Sequence, residues 1–386
     1  MTTMQLSGDV SNSIQILEQS SPVTSERQAP LDLSILLQEM ARSNASDLHL
    51  VAGTPPRLRA NGSLFPIAEM GNASAEETEA IFLAVTGGKK QLLAELWKQK
   101  GMDFAYEVPG LGRFRVNATI QQSTVNLTLR RIHATVPDFE ELGIPEVCRE
   151  LANKKKGLIL VTGPVNSGKS TTMAAFIEHI NQTSSRRILT IEDPVEYVYS
   201  PGKGLITQRE LGSDVLAFAD GLRSALRQDP DVILVGELRD AETVSACLTA
   251  AETGHLVMST LHTPNAYQAV DRLVDVFPAG QQRLIASRLA SLLEAILYQT
   301  LIPTMDGTSK VLAMEIMLAT PAIRALIREE KTHQIPNTIH TSRSSGMQTM
   351  DQALSDLYKR KLISKEELFL RCINPTQVLR QLGLEL

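Results

Sequence analysis

The run Gly163-Pro164-Val165-Asn166-Ser167-Gly168-Lys169-Ser170 places glycines, a lysine and a hydroxyl within one tight turn. Glycines let successive backbone N–H groups point inward, so the turn can cradle phosphate oxygens at a helix N-terminus. Lys169 would reach the β- and γ-phosphates of a nucleoside triphosphate, and Ser170 would ligate Mg²⁺, with Thr171 completing the binding set. A glycine-rich turn can match such a pattern by chance. Here an apolar run, Leu158–Val161, precedes it and a helical pattern, Thr171–Ile180, follows. That context makes the loop specific, and ATP is the expected nucleotide. Asn166 stands where the turn calls for a positive φ, which Asn tolerates better than other non-glycine residues.

Acidic residues follow two further apolar runs. In Asp229-Pro-Asp-Val-Ile-Leu-Val-Gly-Glu-Leu-Arg-Asp240 a buried-strand pattern ends at Glu237, which predicts a carboxylate beside the metal and the attacking water. Gly236 is read as allowing close approach to the nucleotide. In Ile191-Glu-Asp-Pro-Val-Glu196, Glu196 is the candidate general base and Glu192 a candidate helper at the metal. A carboxylate can orient water at its ordinary pKa, because phosphoryl transfer rests on positioning and charge. The bland reading of this second segment is a solvated acidic turn.

His255 and His262 flank the apolar run between them, so they are expected near opposite ends of one strand. A strand-end histidine is ordinarily a hydrogen-bonded structural residue, and no third ligand lies close enough for a metal site. Candidate arginine fingers are Arg113, Arg115 and Arg130 in the first half, and Arg223, Arg227 and Arg239 in the second.

These groups need a scaffold, and 386 residues suit about two domains. Residues 1–30 read as a flexible polar tail. Residues 31–135 alternate short helices and strands: a helix at Leu31–Ser43, strands at Ser46–Val51 and Arg57–Ala60 with a hairpin turn at Asn61-Gly62, helices at Ala75–Val85 and Gln91–Lys100, then strands at Met102–Glu107, Gly112–Ile120 and Val125–Ile132. That order predicts a small α+β domain. Residues 136–150 read as a linker. Beyond it the apolar runs Leu158–Val161, Ile188–Ile191, Val232–Val235 and Leu256–Met258 alternate with helical patterns, which predicts an α/β, RecA-like core over 151–386. The part after Pro278 is expected to be mainly helical.

Composition excludes some functions. Hydrophobic residues make up 43% and the net charge is −5, so no overall basic footprint favours nucleic acid. No run approaches the roughly 20 apolar residues that cross a bilayer, and the polar N-terminus lacks a secretory signal pattern. A soluble cytoplasmic protein is expected, touching membrane only through a partner. Cys148, Cys247 and Cys372 are scattered, with no metal spacing, and read as small hydrophobes.

The four chemical segments, in this order and spacing, resemble the secretion-type hexameric ATPases (the GspE/PulE superfamily), and within them the PilT-like type IV pilus retraction, or twitching motility, ATPases. Residues 163–170 resemble the P-loop, Ile191–Glu196 the Asp box, Asp229–Arg239 the Walker B segment and Gly254–His262 the His box. Asp271–Pro278, Ala322-Ile-Arg-Ala-Leu-Ile-Arg-Glu329 and Gly346–Asp351 resemble the family's later signatures, while Ser46–Leu50 and Gly112–Asn117 fit its first domain. The resemblance spans about residues 31–372. It implies a homohexamer whose subunits join a PAS-like N-terminal domain to a RecA-like domain, with ATP and Mg²⁺ between them. It further implies that Arg113, Arg115 and Arg130 approach the phosphates, that Glu196 is the catalytic glutamate and Glu237 the Walker B glutamate, and that His255 and His262 form the histidine box. The implied partners are an inner-membrane pilus platform protein and a paralogous ATPase.

Three features depart from the family pattern. Val165-Asn166 replaces the frequent Thr-Gly, Ala325 replaces Asn in the AIRNLIRE helix, and the N-terminal extension of about 30 residues is unusual. The alternatives are a PilU-like accessory ATPase, a type II or type IV secretion ATPase, or a nucleotide-binding regulatory ring subunit. The cysteine pattern argues against an extension ATPase, which carries a four-cysteine zinc motif.

Overall fold

The computed structural model describes residues 30–60, 63–67, 70–132 and 135–383. Apart from Pro30, the expected tail lies outside the described residues, as does the Asn61-Gly62 turn. The chain divides into two compact units, Met1–Ile132 and His133–Leu386.

The first unit contains α1 (Leu33–Arg42), β1 (Asp47–Leu50), β2 (Arg57–Ala60), β3 (Ser63–Pro66), α2 (Ala75–Val85), α3 (Lys90–Gln99), β4 (Gly101–Val108), β5 (Gly112–Gln121) and β6 (Thr124–Ile132). The strands form one antiparallel sheet in the order β3-β2-β1-β6-β5-β4. Period-2 alternation sorts its two faces. Leu48, Leu50, Phe114, Val116, Ala118, Leu127 and Leu129 are buried with Phe82 and Ile81 of α2. The start of α2 is fixed by a capping box between Ser74 and Glu77. The opposite face is polar. Asp47 is opposite Arg130, and Arg130 opposite Arg115; in the next rung His49, Thr128, Asn117 and Asp103 follow one another across four strands.

The second unit contains α4 (Val147–Ala152), β7 (Gly157–Thr162), α5 (Lys169–Thr183), β8 (Arg187–Glu192), β9 (Leu205–Glu210), α6 (Phe218–Ala225), β10 (Val232–Val235), α7 (Ala241–Glu252), β11 (Leu256–Leu261), α8 (Ala266–Asp275), α9 (Ala279–Leu292), β12 (Leu293–Pro303) and β13 (Lys310–Leu318). Five helices follow: α10 (Pro321–Arg328), α11 (Ile335–Thr341), α12 (Met350–Lys359), α13 (Lys365–Arg371) and α14 (Pro375–Leu382). Seven strands lie in the order β13-β12-β7-β11-β10-β8-β9, all parallel except β13. All of β7, β10 and β11 is buried, as expected of strands covered on both faces. One apolar layer includes α5, the other includes α6 to α9.

One expectation needs correction and another an addition. The stretch read as a linker is part of a core, because Phe139, Ile144 and Cys148 are buried against α5 and β7. The region after Pro278 is mainly helical, in α9 and again from Pro321 onward, but β12 and β13 lie between and extend the sheet. Ala295, Ile296 and Leu297 are all buried, so their unbroken apolar run has no alternation to mark a strand.

Candidate active site

Strand β7 delivers the chain into the phosphate loop, and α5 leaves it. Gly163 has φ 152°, and a Cβ there would fall 2.3 Å from the Gln299 carbonyl oxygen. Only glycine fits that approach. Asn166 takes φ 63°, as its residue type allows. Val165 is 74% exposed at the loop tip. Lys169 folds back, donating Nζ to the carbonyls of Gly163 (2.9 Å) and Pro164 (2.8 Å). Burial lowers its pKa, while Glu237 and Glu196 act in the opposite direction. A loop carbonyl pair is a weak substitute for triphosphate oxygens, so the lysine sits in reserve for an anion.

Glu237 follows β10 with its side chain 15% exposed. Its position is set by two cross-strand bonds, Thr260 Oγ1 to the Gly236 carbonyl (2.6 Å) and Leu238 N to the Thr260 carbonyl (3.2 Å). One carboxylate oxygen pairs with Arg239, and the other is 3.7 Å from His262 Nε2. His262 Nδ1 is 3.3 Å from Lys169 Nζ. Burial holds the His262 pKa below its usual value, and Lys169 adds to that. One imidazole therefore bridges the lysine and the acid. A Cβ at Gly236 would meet the Ile191 carbonyl at 3.4 Å and the Phe218 ring at 3.5 Å, ordinary contact distances.

His255 is not brought to this site. It precedes β11 while His262 follows it, and six strand residues separate them by about 20 Å. Its Nδ1 is bonded at the Ala250 carbonyl (2.9 Å) and Thr253 Oγ1 (3.0 Å), closing the end of α7.

Glu196 is exposed after β8. Glu192 is half-buried with its carboxyl turned inward, accepting hydrogen bonds from Thr190 Oγ1 (2.7 Å) and Gln208 Nε2 (3.2 Å), and its pKa is pushed up to about 7 by burial.

Arg115 pairs with Asp103 at 3.4 Å, and Arg130 with buried Asp47 at 2.7 Å. Arg113 lies on the same face of β5 as Arg115. Asp47, Asp103, Arg115, Asn117, Thr128 and Arg130 surround a polar recess of about 280 Å³. Arg223 is engaged by Asp220 and Glu242.

Among the described residues no cluster of three or more His, Cys, Asp or Glu could hold an ion alone. The Ser170 hydroxyl is exposed at the start of α5, and Glu237 supplies one carboxylate. One hydroxyl and one acid fit Mg²⁺, which keeps waters and takes its other ligands from phosphates.

Gln299 of β12 was not signalled by any motif. It is 1% exposed and donates Nε2 to the Ser167 carbonyl at 2.7 Å, propping the loop from beneath. Tyr197 was also missed; its hydroxyl bonds Thr171 Oγ1 at 2.9 Å.

A phosphate-cradling turn between a buried parallel strand and a helix, with an acid at the end of a neighbouring strand, defines a P-loop nucleoside triphosphatase. The model of the type II/IV secretion system protein family matches residues 25–368. The chain is 46% identical to the type IV pilus retraction ATPase PilT of Pseudomonas aeruginosa, over 87% of this chain and 96% of that one. It is 45% identical to a twitching motility protein of Neisseria gonorrhoeae, over 86% and 88%. The crystal structure of the pilus retraction motor PilT with bound ADP superposes with a TM-score of 0.83 at 42% identity, covering 91% of this chain and 99% of that one. The chain belongs to the type II/IV secretion system protein family, in which it is a PilT-like ATPase.

Proposed function

We propose that this protein is a homohexameric motor that couples ATP hydrolysis to type IV pilus retraction and twitching motility. The observation that carries the reading is the intact catalytic end of the second unit: Lys169, Glu237 and His262 in mutual reach at the phosphate loop. A regulatory ring subunit would have no need of that set.

In this reading the triphosphate draws Lys169 Nζ from the Gly163 and Pro164 carbonyls. Ser170 and Glu237 hold Mg²⁺, which neutralises charge on the phosphates. Glu196 orients the attacking water, and His262 reports on the state of the site through Lys169 and Glu237. Arg113, Arg115 and Arg130 stabilise the phosphates from a PAS-like N-terminal domain in the ring. Their pairing with Asp47 and Asp103 supports the role, because the carboxylates hold two guanidinium groups side by side on one sheet face.

The partner is an inner-membrane platform protein that the ring turns from the cytoplasmic side. Among the described residues no helix is long and apolar enough to cross a membrane. Deleting the gene tests the role. Surplus surface pili without twitching supports retraction; absent pili would indicate assembly, and normal twitching would indicate an accessory or secretion task.

A further inference from the structure

We propose that Tyr197 is a positioning residue that fixes the catalytic Glu196 to the first turn of the phosphate-loop helix through Thr171. The inference rests on the reading of Glu196 as the water-orienting acid. Glu196 is exposed and sits in a segment without regular secondary structure, so its own side chain does not fix its place. Its neighbours do. Tyr197 is 7% exposed, and its hydroxyl is 2.9 Å from the Thr171 hydroxyl, one residue past Ser170.

The backbone around Glu196 is tied on the other side as well. Gln208 of β9 donates Nε2 to the Tyr197 carbonyl at 2.8 Å, and its Oε1 accepts from Tyr199 N at 3.4 Å. Glu210 accepts from Val195 N at 3.1 Å. The buried Glu192 carboxyl takes a backbone hydrogen bond from Glu196 itself. These bonds hold the segment to β8 and β9, whereas Tyr197–Thr171 ties it to the first turn of α5, and Asn181 Nδ2 at the Ser200 carbonyl (2.9 Å) ties its far end to the last turn. An acid that must meet water at the γ-phosphate needs its distance to the phosphate loop fixed, and this bond supplies that constraint. Movement of α5 on nucleotide binding passes through the same bond to Glu196.

The test uses the full chain and steady-state ATP hydrolysis with Mg²⁺. Tyr197→Phe keeps the buried ring and removes only the hydroxyl. We expect kcat to fall about tenfold with the KM for ATP changed less than about twofold. Thr171→Val should lower kcat similarly, and the double variant should be no slower than the slower single one. In a Glu196→Gln background, Tyr197→Phe should cost nothing further, because it acts through Glu196. Native kcat in Tyr197→Phe, or a loss carried undiminished into the Glu196→Gln background, overturns the proposal. Native kcat in Glu196→Gln alone would instead overturn the assignment of Glu196, and the positioning role with it. A melting curve of Tyr197→Phe close to native separates misplacement from misfolding.

Discussion

Lys169 Nζ and His262 Nδ1 lie 3.3 Å apart, and the same imidazole presents Nε2 to Glu237 at 3.7 Å. A neutral ring accepts from the ammonium at one nitrogen and offers N–H to the carboxylate at the other. Protonation would place two cations face to face.

That arrangement sets an acid limit. The His262 pKa is depressed below 6.5 in the folded chain, so its contribution to stability is complete above pH 6.5 and is lost as pH falls through the lower folded value. ATPase activity should hold at pH 6.5 and decline below it. In His262→Ala that part of the decline should disappear from the pH profile, on a lower plateau.

Lys169→Ala should abolish hydrolysis, by more than about a hundredfold in kcat/KM. Its Nζ bonds only loop carbonyls and His262, so melting temperature should change little. A rate equal to native would remove the enzyme assignment.

Gln299→Leu removes the donor beneath the loop and leaves the Ser167 carbonyl without it. Orphaning such a group costs about 1–3 kcal/mol. The expected outcome is weaker ADP binding by titration calorimetry, by about tenfold, with secondary structure intact.

Glu192 titrates near 7 rather than 4.5, with Thr190, Gln208, Glu196 and Tyr199 around it. A raised carboxyl pKa gives stability that is present at low pH and lost as pH rises through the folded value. Glu192→Gln, which stays neutral, should therefore be more stable than native at pH 8, by about 1–2 kcal/mol, with the gain shrinking toward pH 5. Denaturant unfolding at both pH values measures it.

The two paired arginines should separate by stability. Arg130→Ala removes the cation beside buried Asp47, leaving Ser46 Oγ as a donor at 2.7 Å, and should cost about 1–2 kcal/mol. Arg115 and Asp103 form an exposed pair, so Arg115→Ala should cost under about 1 kcal/mol. Both should slow hydrolysis by the assembled ring if they serve the phosphates. Thermal unfolding beside ATPase rates distinguishes the two effects.

The phosphate loop was legible in the sequence because its ligands are successive backbone groups, so the binding geometry is written in contiguous residue types. The parallel strands were legible for a related reason: burial on both faces demands unbroken apolar runs, as in Leu158–Val161 and Val232–Val235. Tertiary structure decided which charged and polar groups join that loop. His255 and His262 look equivalent along the chain, yet only one end of β11 adjoins the phosphate loop, so parallel packing admits one and excludes the other. Gln299 reaches Ser167 from 132 positions away, because β12 is laid beside β7. Tyr197 finds Thr171 only when β8 and α5 share a layer. Local pattern specifies elements and backbone sites, whereas contacts between distant side chains exist only once the sheet order is set.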